Sequence, residues 1–174
     1  EKSQNVLVDF LHDLGVVLHF REFELEDTHV LNPKWVTEAV YRIINSEILT
    51  ECKGLLRLGS LRDILKKRND KDYDYPTIQY KYIIGLMKKF ELCYEIDGNA
   101  VLIPDLLDVQ EQQFDFDYDS SLRFVIEYDF LPRSVMPRFI VKMSKNIKGE
   151  LRWRTGVVLE DINLGSTAVI KADN

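Results

Sequence analysis

Residues 54 to 60, GLLRLGS, have the glycine spacing of a phosphate-binding loop, which is the first chemistry that the sequence suggests. Such a loop needs a lysine after its last glycine to contact the β- and γ-phosphates, and then a hydroxyl side chain to bind Mg²⁺. Ser60 stands in place of the lysine and Leu61 in place of the hydroxyl residue. We therefore interpret the segment as a turn before a helix and not as a nucleotide site.

The histidines and cysteines of the chain also lack the spacing that metal binding or redox chemistry requires. His12, His19 and His29 match no metal-ligand pattern, and Cys52 and Cys93 lie too far apart for a Cys-x-x-Cys pair. No serine, histidine and acid constellation indicates a nucleophile. From the residues alone we expect no catalytic, cofactor-binding or metal-binding residues in this chain.

The composition indicates a globular protein that is not strongly basic. The 174 residues are 45% hydrophobic, which is enough for a sizeable core, and the formal net charge is −6. No apolar run approaches the roughly 20 residues needed to cross a bilayer, and the N-terminus has no signal-peptide pattern. We expect a protein without a transmembrane segment, located in the cytoplasm.

Basic side chains are nevertheless grouped in two places. Lys81, Lys88 and Lys89 lie on a predicted helix, which raises nucleic-acid binding as an alternative function. A second group recurs at helical spacing and on a nearby strand: Arg133, Arg138, Lys142, Lys145, Arg152 and Arg154. This second group is either a solvated face or a surface for an acidic partner, such as the chain's own linker or a second copy.

The predicted elements of residues 1–107, called here the first half, are mainly helical. Apolar stripes indicate a helix near 6–14, strands at 16–20 and 29–31, and a helix that Asn32 caps and Pro33 begins. Trp35, Val36, Ala39, Val40, Ile43 and Ile44 form the inner face of that helix. Ser60 is predicted to cap a helix that ends near Lys67. A further helix over 77–90 points Ile83, Leu86, Met87 and Phe90 inward, and a hairpin turns at residues 97–99. This order is typical of a winged-helix module.

Residues 108–120 read as an acidic linker with aromatic anchors, because residues 108–119 contain no lysine or arginine. The second half, residues 121–174, begins with period-two alternation over 122–130, which predicts a strand. Ser134 is the predicted N-cap of a helix whose core face is Val135, Phe139, Met143 and Ile147. Strands are predicted from Glu150 to Val157 and after Gly165. The fold class is therefore α+β, and the strand-helix-strand-strand second half looks truncated.

Several of these segments together resemble the COR (C-terminal of Roc) domain of Roco proteins, the group that includes the leucine-rich-repeat kinases. They follow the family's order, from about Val6 to Val158: FLHDLGVVLHF, VLNPKWVTEAVYRII, LMKKFELCY, LIPDLL, DFLPRSVMPRFIVKM and WRTGVVL. The resemblance implies a regulatory domain that is not an enzyme and that dimerises mainly through its second half. It also implies that GTP or GDP, with Mg²⁺, binds a preceding Ras-like Roc domain, whose nucleotide state the COR domain transmits.

The resemblance also suggests where the Roc domain docks. The predicted helix around Tyr80 matches a family stretch implicated in that contact, so Tyr80, Ile84 and Lys88 are the candidate GTPase-facing surface, an exposed stripe at i, i+4 and i+8. The alternative is that Tyr80 and Ile84 complete the local core. The candidate partner or dimer surface consists of Arg133, Arg138, Lys142, Arg152 and Arg154.

Overall fold

The computed structural model describes residues 32–172. The predicted helix near 6–14, the strands at 16–20 and 29–31, and the three histidines lie outside the described residues.

Helix α1 (Pro33–Ile44) begins as its sequence predicts. The Asn32 side-chain oxygen accepts a hydrogen bond from the Lys34 amide at 2.9 Å, and Pro33 takes the first helical position, where no amide is needed. Its buried face is Trp35, Val36, Ala39 and Ile43. Four of the six residues predicted for the inner face are therefore buried, and the other two are half-buried.

The remaining elements of the first half are short apart from one helix. They are α2 (Glu47–Glu51), β1 (Leu55–Arg57), α3 (Leu61–Ile64), α4 (Tyr80–Lys89), β2 (Tyr94–Asp97) and β3 (Ala100–Leu102), with 3₁₀ turns at Leu58–Ser60, Thr77–Gln79 and Pro104–Leu106. The three strands form an antiparallel sheet in the order β1-β3-β2. The predicted hairpin is confirmed, while the winged-helix likeness stays a prediction.

Three local predictions in the first half are wrong. Ser60 belongs to the 3₁₀ turn with helical dihedral angles, so its side chain makes no capping hydrogen bond, and α3 ends at Ile64. Residues 55–60 form β1 and this 3₁₀ turn, in place of a simple turn before a capped helix. Phe90 is 49% exposed because it is the C-cap residue of α4, and the positive φ of Glu91 after it ends the helix.

The core of the first half lies between α1, α4 and the sheet. Ala39, Ile43, Ile83 and Met87 are fully buried in it. The polar stretch after α3 is attached to this core, because the Trp35 indole donates to the Asp74 carbonyl at 2.9 Å and the Tyr75 hydroxyl donates to the Trp35 carbonyl at 3.0 Å.

The second half contains one helix and an antiparallel meander. Its elements are α5 (Val135–Lys142), a 3₁₀ turn (Ser144–Asn146), β4 (Ile147–Trp153), β5 (Gly156–Asp161) and β6 (Ser166–Lys171), with sheet order β4-β5-β6. The predicted single strand from Glu150 to Val157 is therefore two strands. The turn falls at Arg154 and Thr155, where Gly156 permits a close approach: a Cβ there would lie 2.2 Å from the Trp153 ring.

The predicted strand over residues 122–130 is absent from the structure. These residues have no regular secondary structure, and every side chain among them is exposed. An isolated strand is not stable in water because its backbone groups and its apolar face need a neighbour. Within the described residues, the second half is therefore helix-strand-strand-strand, not strand-helix-strand-strand.

Helix α5 starts after Ser134 as predicted, but its core face is displaced around the helix by about one residue. Its buried residues are Met136, Pro137 and Ile140, while Val135 is 39% exposed and Phe139 is half-buried. Ser134 has helical dihedral angles and makes no side-chain capping bond. The displacement arises because α5 packs against two sheets at once, which the periodicity of one helix does not reveal.

Candidate functional site

The two halves share one apolar cluster, which we call the junction cluster. From the first half it contains Tyr94, Leu102 and Leu107, and from the second half Met136, Ile140 and Val157. Burial raises the pKa of Tyr94, whose buried hydroxyl has no hydrogen-bond partner among residues 32–172. The cluster thus fixes α5 and β5 against the outer face of the first sheet.

Polar contacts surround the junction cluster. Glu91, two residues after the end of α4, accepts a hydrogen bond from the Arg138 guanidinium at 2.9 Å and pairs with the Lys142 ammonium at 3.2 Å. Arg154 donates to the Leu107 carbonyl at 3.0 Å, and its amide donates to the Asp108 carbonyl at 2.8 Å. The end of α4 is therefore connected directly to α5, and the turn between β4 and β5 to the chain that joins the halves.

The acidic linker packs on the second sheet. The Lys171 ammonium of β6 pairs with Glu111 at 2.5 Å and bonds the Tyr118 hydroxyl at 3.1 Å, and Phe114 stacks on Trp153 with ring centroids 6.1 Å apart. The hydrogen bond to Glu111 is the main cause that raises the pKa of Lys171. The aromatic residues of the linker therefore anchor it to the second sheet. Lys171, which contacts them, was not among the predicted basic residues.

The candidate GTPase-facing residues do not form one exposed stripe. Tyr80 is half-buried against the first core, Ile84 is only 5% exposed, and Lys88 pairs with Glu95 at 2.6 Å. The predicted exposure of Ile84 is wrong because α4 is covered by the core on that side. Tyr80 and Ile84 thus contribute to the local core, and contact with a GTPase stays a prediction.

The candidate partner or dimer residues separate into different environments. Arg138 and Lys142 face Glu91, Arg154 bonds Leu107, and Arg152 lies 4.0 Å from Glu150 and donates to the Gly149 carbonyl at 3.4 Å. Arg133 is exposed. The acidic partner of Arg138 and Lys142 is therefore Glu91 of the first half, which sequence reasoning missed because 47 positions separate Glu91 from Arg138.

The described residues form no metal-binding cluster, and the glycine-containing segment at 54–60 is used by the fold itself. Residues 32–172 contain no group of three His, Cys, Asp or Glu side chains that could hold a metal ion. Gly54 uses its amide and its carbonyl in backbone hydrogen bonds to Leu49 and Ile103, both at 2.9 Å.

The nucleic-acid alternative gains no support, since Lys88 is already paired with an acidic side chain. Among the described residues, no helix is long and apolar enough to cross a membrane.

The Glu91 contact predicts a defined pH dependence. The hydrogen bond from Lys142, with that from Arg138, lowers the pKa of Glu91. Because the folded pKa lies below the unfolded one, the contact stabilises the fold above the unfolded pKa, and this contribution is lost as the pH falls through the folded pKa. We expect NMR titration of the Glu91 carboxyl to show a midpoint below that of an ordinary glutamate.

The double variant Arg138→Gln, Lys142→Gln is the matched control for this titration. It removes both cations and should return the midpoint of Glu91 to the ordinary range. An unchanged midpoint would show that the two cations do not set the ionisation of Glu91.

The fold and its junction define a two-part α+β module whose halves are joined by one apolar cluster. Residues 1–107 match the family model of the COR-A domain (C-terminal of Roc), and residues 119–174 match that of the COR-B domain. The chain therefore belongs to the COR domain family of Roco proteins. The resemblance and the α+β fold class expected from the sequence are both confirmed.

The relatives are much longer proteins. A "Roc-COR-CHAT protease" of Runella zeae is 29% identical over 157 residues, which cover 87% of this chain and 16% of the relative. A "Probable serine/threonine-protein kinase pats1" of Dictyostelium discoideum is 25% identical over 169 residues, covering 87% of this chain and 5% of the relative. The chain thus spans less than a fifth of these curated relatives.

A solved structure is also similar. The Methanosarcina barkeri Roco2 RocCORdC structure bound to GDP superimposes with a TM-score of 0.58 at 62% identity, covering 61% of this chain and 33% of that chain. COR domains accompany Roc domains, in which the GTPase activity of Roco proteins lies.

Proposed function

We propose that this chain is a regulatory and dimerisation module of a Roco protein, coupling the nucleotide state of a preceding Roc domain to the rest of the polypeptide. GTP or GDP, with Mg²⁺, binds the Roc domain in this proposal. The observation that carries it is the Glu91 contact. The helix that holds the candidate GTPase-facing residue Tyr80 is followed, two residues after its end, by Glu91. The Glu91 carboxylate pairs with Arg138 and Lys142 of α5 at 2.9 and 3.2 Å.

This geometry supports coupling for a mechanical reason. Protein cores are close-packed, so a helix displaced at one end moves its packed neighbours with it. Displacement of α4 by a docked domain would act on α5 through Glu91, and on β5 through the junction cluster. The contact is also electrostatic, so it can break and re-form without exposing apolar surface.

The proposal includes a division into residues 1–107, a linker over 108–120 and a second half over 121–174. The two family models, which match 1–107 and 119–174, support this division. The linker contacts of Glu111, Phe114 and Tyr118 support a linker that is docked on the second half.

A direct test replaces Tyr80 with alanine and measures the affinity for the separated Roc domain of the same protein by calorimetry. If the Tyr80 ring lies at the centre of the contact, the affinity should fall by about tenfold or more, because truncated aromatic anchors cost the most at interfaces. The thermal midpoint of the variant, measured in parallel, shows that the fold survives.

The matched control is Tyr41→Ala. Tyr41 is 62% exposed on α1, so the same truncation on another helix should leave the affinity unchanged. Equal affinities for the Tyr80 variant and the unmodified chain would reject α4 as the docking surface.

A further inference from the structure

A loop of the first half concentrates basic side chains that pair with no acidic side chain of the described residues. Residues 65–72 follow α3 and form neither helix nor strand, and they contain Lys66, Lys67, Arg68 and Lys71. All four side chains are exposed, and none of them forms an ion pair within the described part of the chain. We call residues 65–72 the basic loop. It is separate from the two basic groups that the sequence suggested.

The charge of the basic loop is opposite to that of the whole chain. Residues 57–71 hold six basic and two acidic residues, whereas the formal net charge of the 174 residues is −6. Arg57 and Arg62 extend the group onto β1 and α3, and both are exposed. A negatively charged surface would therefore attract this region and repel the acidic remainder, so that the protein approaches such a surface with the basic loop first.

The backbone of the basic loop is held in place by α1. Arg42, near the end of α1 and with a side chain only 11% exposed, donates to the Lys66 carbonyl and lies 3.8 Å from the Asp72 carboxylate. Asp72 in turn accepts the Arg68 amide at 2.9 Å. These contacts use backbone groups of the loop and the Asp72 side chain, so the basic side chains stay exposed. A loop that is already fixed loses less conformational entropy when it binds, which favours association.

The basic side chains are spread along the loop and do not line the cavities beside it in sequence. Two surface cavities of about 360 and 430 Å³ are lined in part by Tyr73, and neither is lined by a residue of 57–71. Each includes an acidic residue, Asp74 in one and Glu38 in the other. A small anion is held by donors that converge on it, whereas a layer of phosphates attracts cations spread over a surface. The arrangement favours an extended anionic surface over one bound anion.

Nucleic acid fits the basic loop less well than a lipid surface does. Proteins that bind single strands stack bases on aromatic side chains, and residues 62–71 contain no aromatic residue. Proteins that read a duplex insert a helix or strands into a groove, and α3 has only four residues. An anionic lipid surface makes neither demand, because it attracts clustered lysine and arginine residues through charge.

We propose that the basic loop docks this protein on the anionic lipid headgroups of a membrane surface. Each lysine or arginine close to such a surface strengthens binding by about fivefold. The loop offers only this charge attraction, so the binding is reversible and sensitive to salt. The proposal goes beyond the regulatory function proposed above and does not rest on it.

The test measures co-sedimentation of the 174-residue chain with lipid vesicles. The chain should bind vesicles of phosphatidylcholine and phosphatidylserine, mixed at about three to one, and should not bind vesicles of phosphatidylcholine alone. The triple variant Lys66→Gln, Lys67→Gln, Lys71→Gln should bind the mixed vesicles about a hundredfold more weakly. All three side chains are exposed, so the thermal midpoint of the variant should stay close to that of the unmodified chain.

The matched control removes the same charge elsewhere. Lys34→Gln, Lys81→Gln, Arg123→Gln changes three exposed residues of other segments and should weaken vesicle binding far less than the loop variant does. Replacing the three loop lysines with arginine keeps the charge and should keep the binding. At about 1 M salt, where the Debye length falls to roughly 3 Å, the unmodified chain should detach from the vesicles.

Four results would overturn the proposal. Equal binding to both kinds of vesicle, or no binding to either at low salt, rejects a charge-dependent membrane contact. An equal loss in the loop variant and the control variant shows that net charge, and not the basic loop, sets the binding. Salt-sensitive binding of an oligonucleotide without vesicle binding assigns the loop to nucleic acid. A loop variant that binds the separated Roc domain more weakly, but binds the mixed vesicles as the unmodified chain does, makes the loop a protein contact.

Discussion

Replacing Gly54 with alanine is expected to destabilise the protein by at least about 3 kcal/mol. Gly54 has a φ of +83°, in the left-handed region that a side chain disfavours, and a Cβ there would lie 2.5 Å from the Ile103 carbonyl oxygen. That carbonyl belongs to the backbone and cannot rotate away. The Gly54 carbonyl also accepts the Ile103 amide at 2.9 Å, so the strain is transmitted to the end of β3.

Chemical denaturation followed by circular dichroism measures this loss of unfolding free energy. Gly98→Ala is the matched control, because Gly98 lies in the hairpin turn with no atom within 4 Å of the position of an added Cβ. The control should change the unfolding free energy by no more than about 0.5 kcal/mol. Similar losses in both variants would show that the close approach at Gly54 is not what requires glycine there.

Truncating Ile140 to alanine is expected to cost about 2–5 kcal/mol. Ile140 is fully buried in the junction cluster, between the first sheet and β5, so its loss leaves a cavity that both halves line. The same denaturation experiment gives the free energy, and retained helical signal before the transition shows that the variant is folded.

Two neighbouring residues calibrate the result. Val135→Ala, at a residue 39% exposed, should cost much less, and Phe139→Ala should lie between the two because its ring is half-buried. If Phe139→Ala proves the most costly of the three, the core face of α5 is the one that the helical periodicity predicted, and the packing described here is wrong.

Local chemistry explains which parts of the fold were predictable. The start of α1 follows from Asn32 and Pro33, since a cap and a proline at the first helical position act within one turn. The hairpin of β2 and β3 follows from Asp97, Gly98 and Asn99, where the Asp97 carboxylate accepts the Asn99 amide at 2.7 Å. The family resemblance likewise rests on stretches of adjacent residues.

The parts that sequence reasoning missed depend on distant residues. The sequence pattern does not indicate Glu91 as the partner of Arg138 and Lys142, because these residues come into contact only when the two halves pack together. The buried face of α5 depends on two sheets, and β1 is only three residues long. The alternation of residues 122–130 is typical of a strand, but a strand forms only where another strand pairs with it. The sequence of one segment does not show whether such a partner is present.

The junction cluster has a consequence for the energetics of the whole chain. Since Tyr94 and Leu102 of the first half are buried in a cluster that Ile140 and other residues of the second half complete, neither half completes its apolar burial alone. Unfolding of one half therefore lowers the stability of the other, and the two behave as one cooperative unit. By mass action, any molecule that binds the folded form of one half raises the free energy of unfolding of both. A molecule that binds either half thus stabilises the other half against unfolding, even where the folded structure does not change.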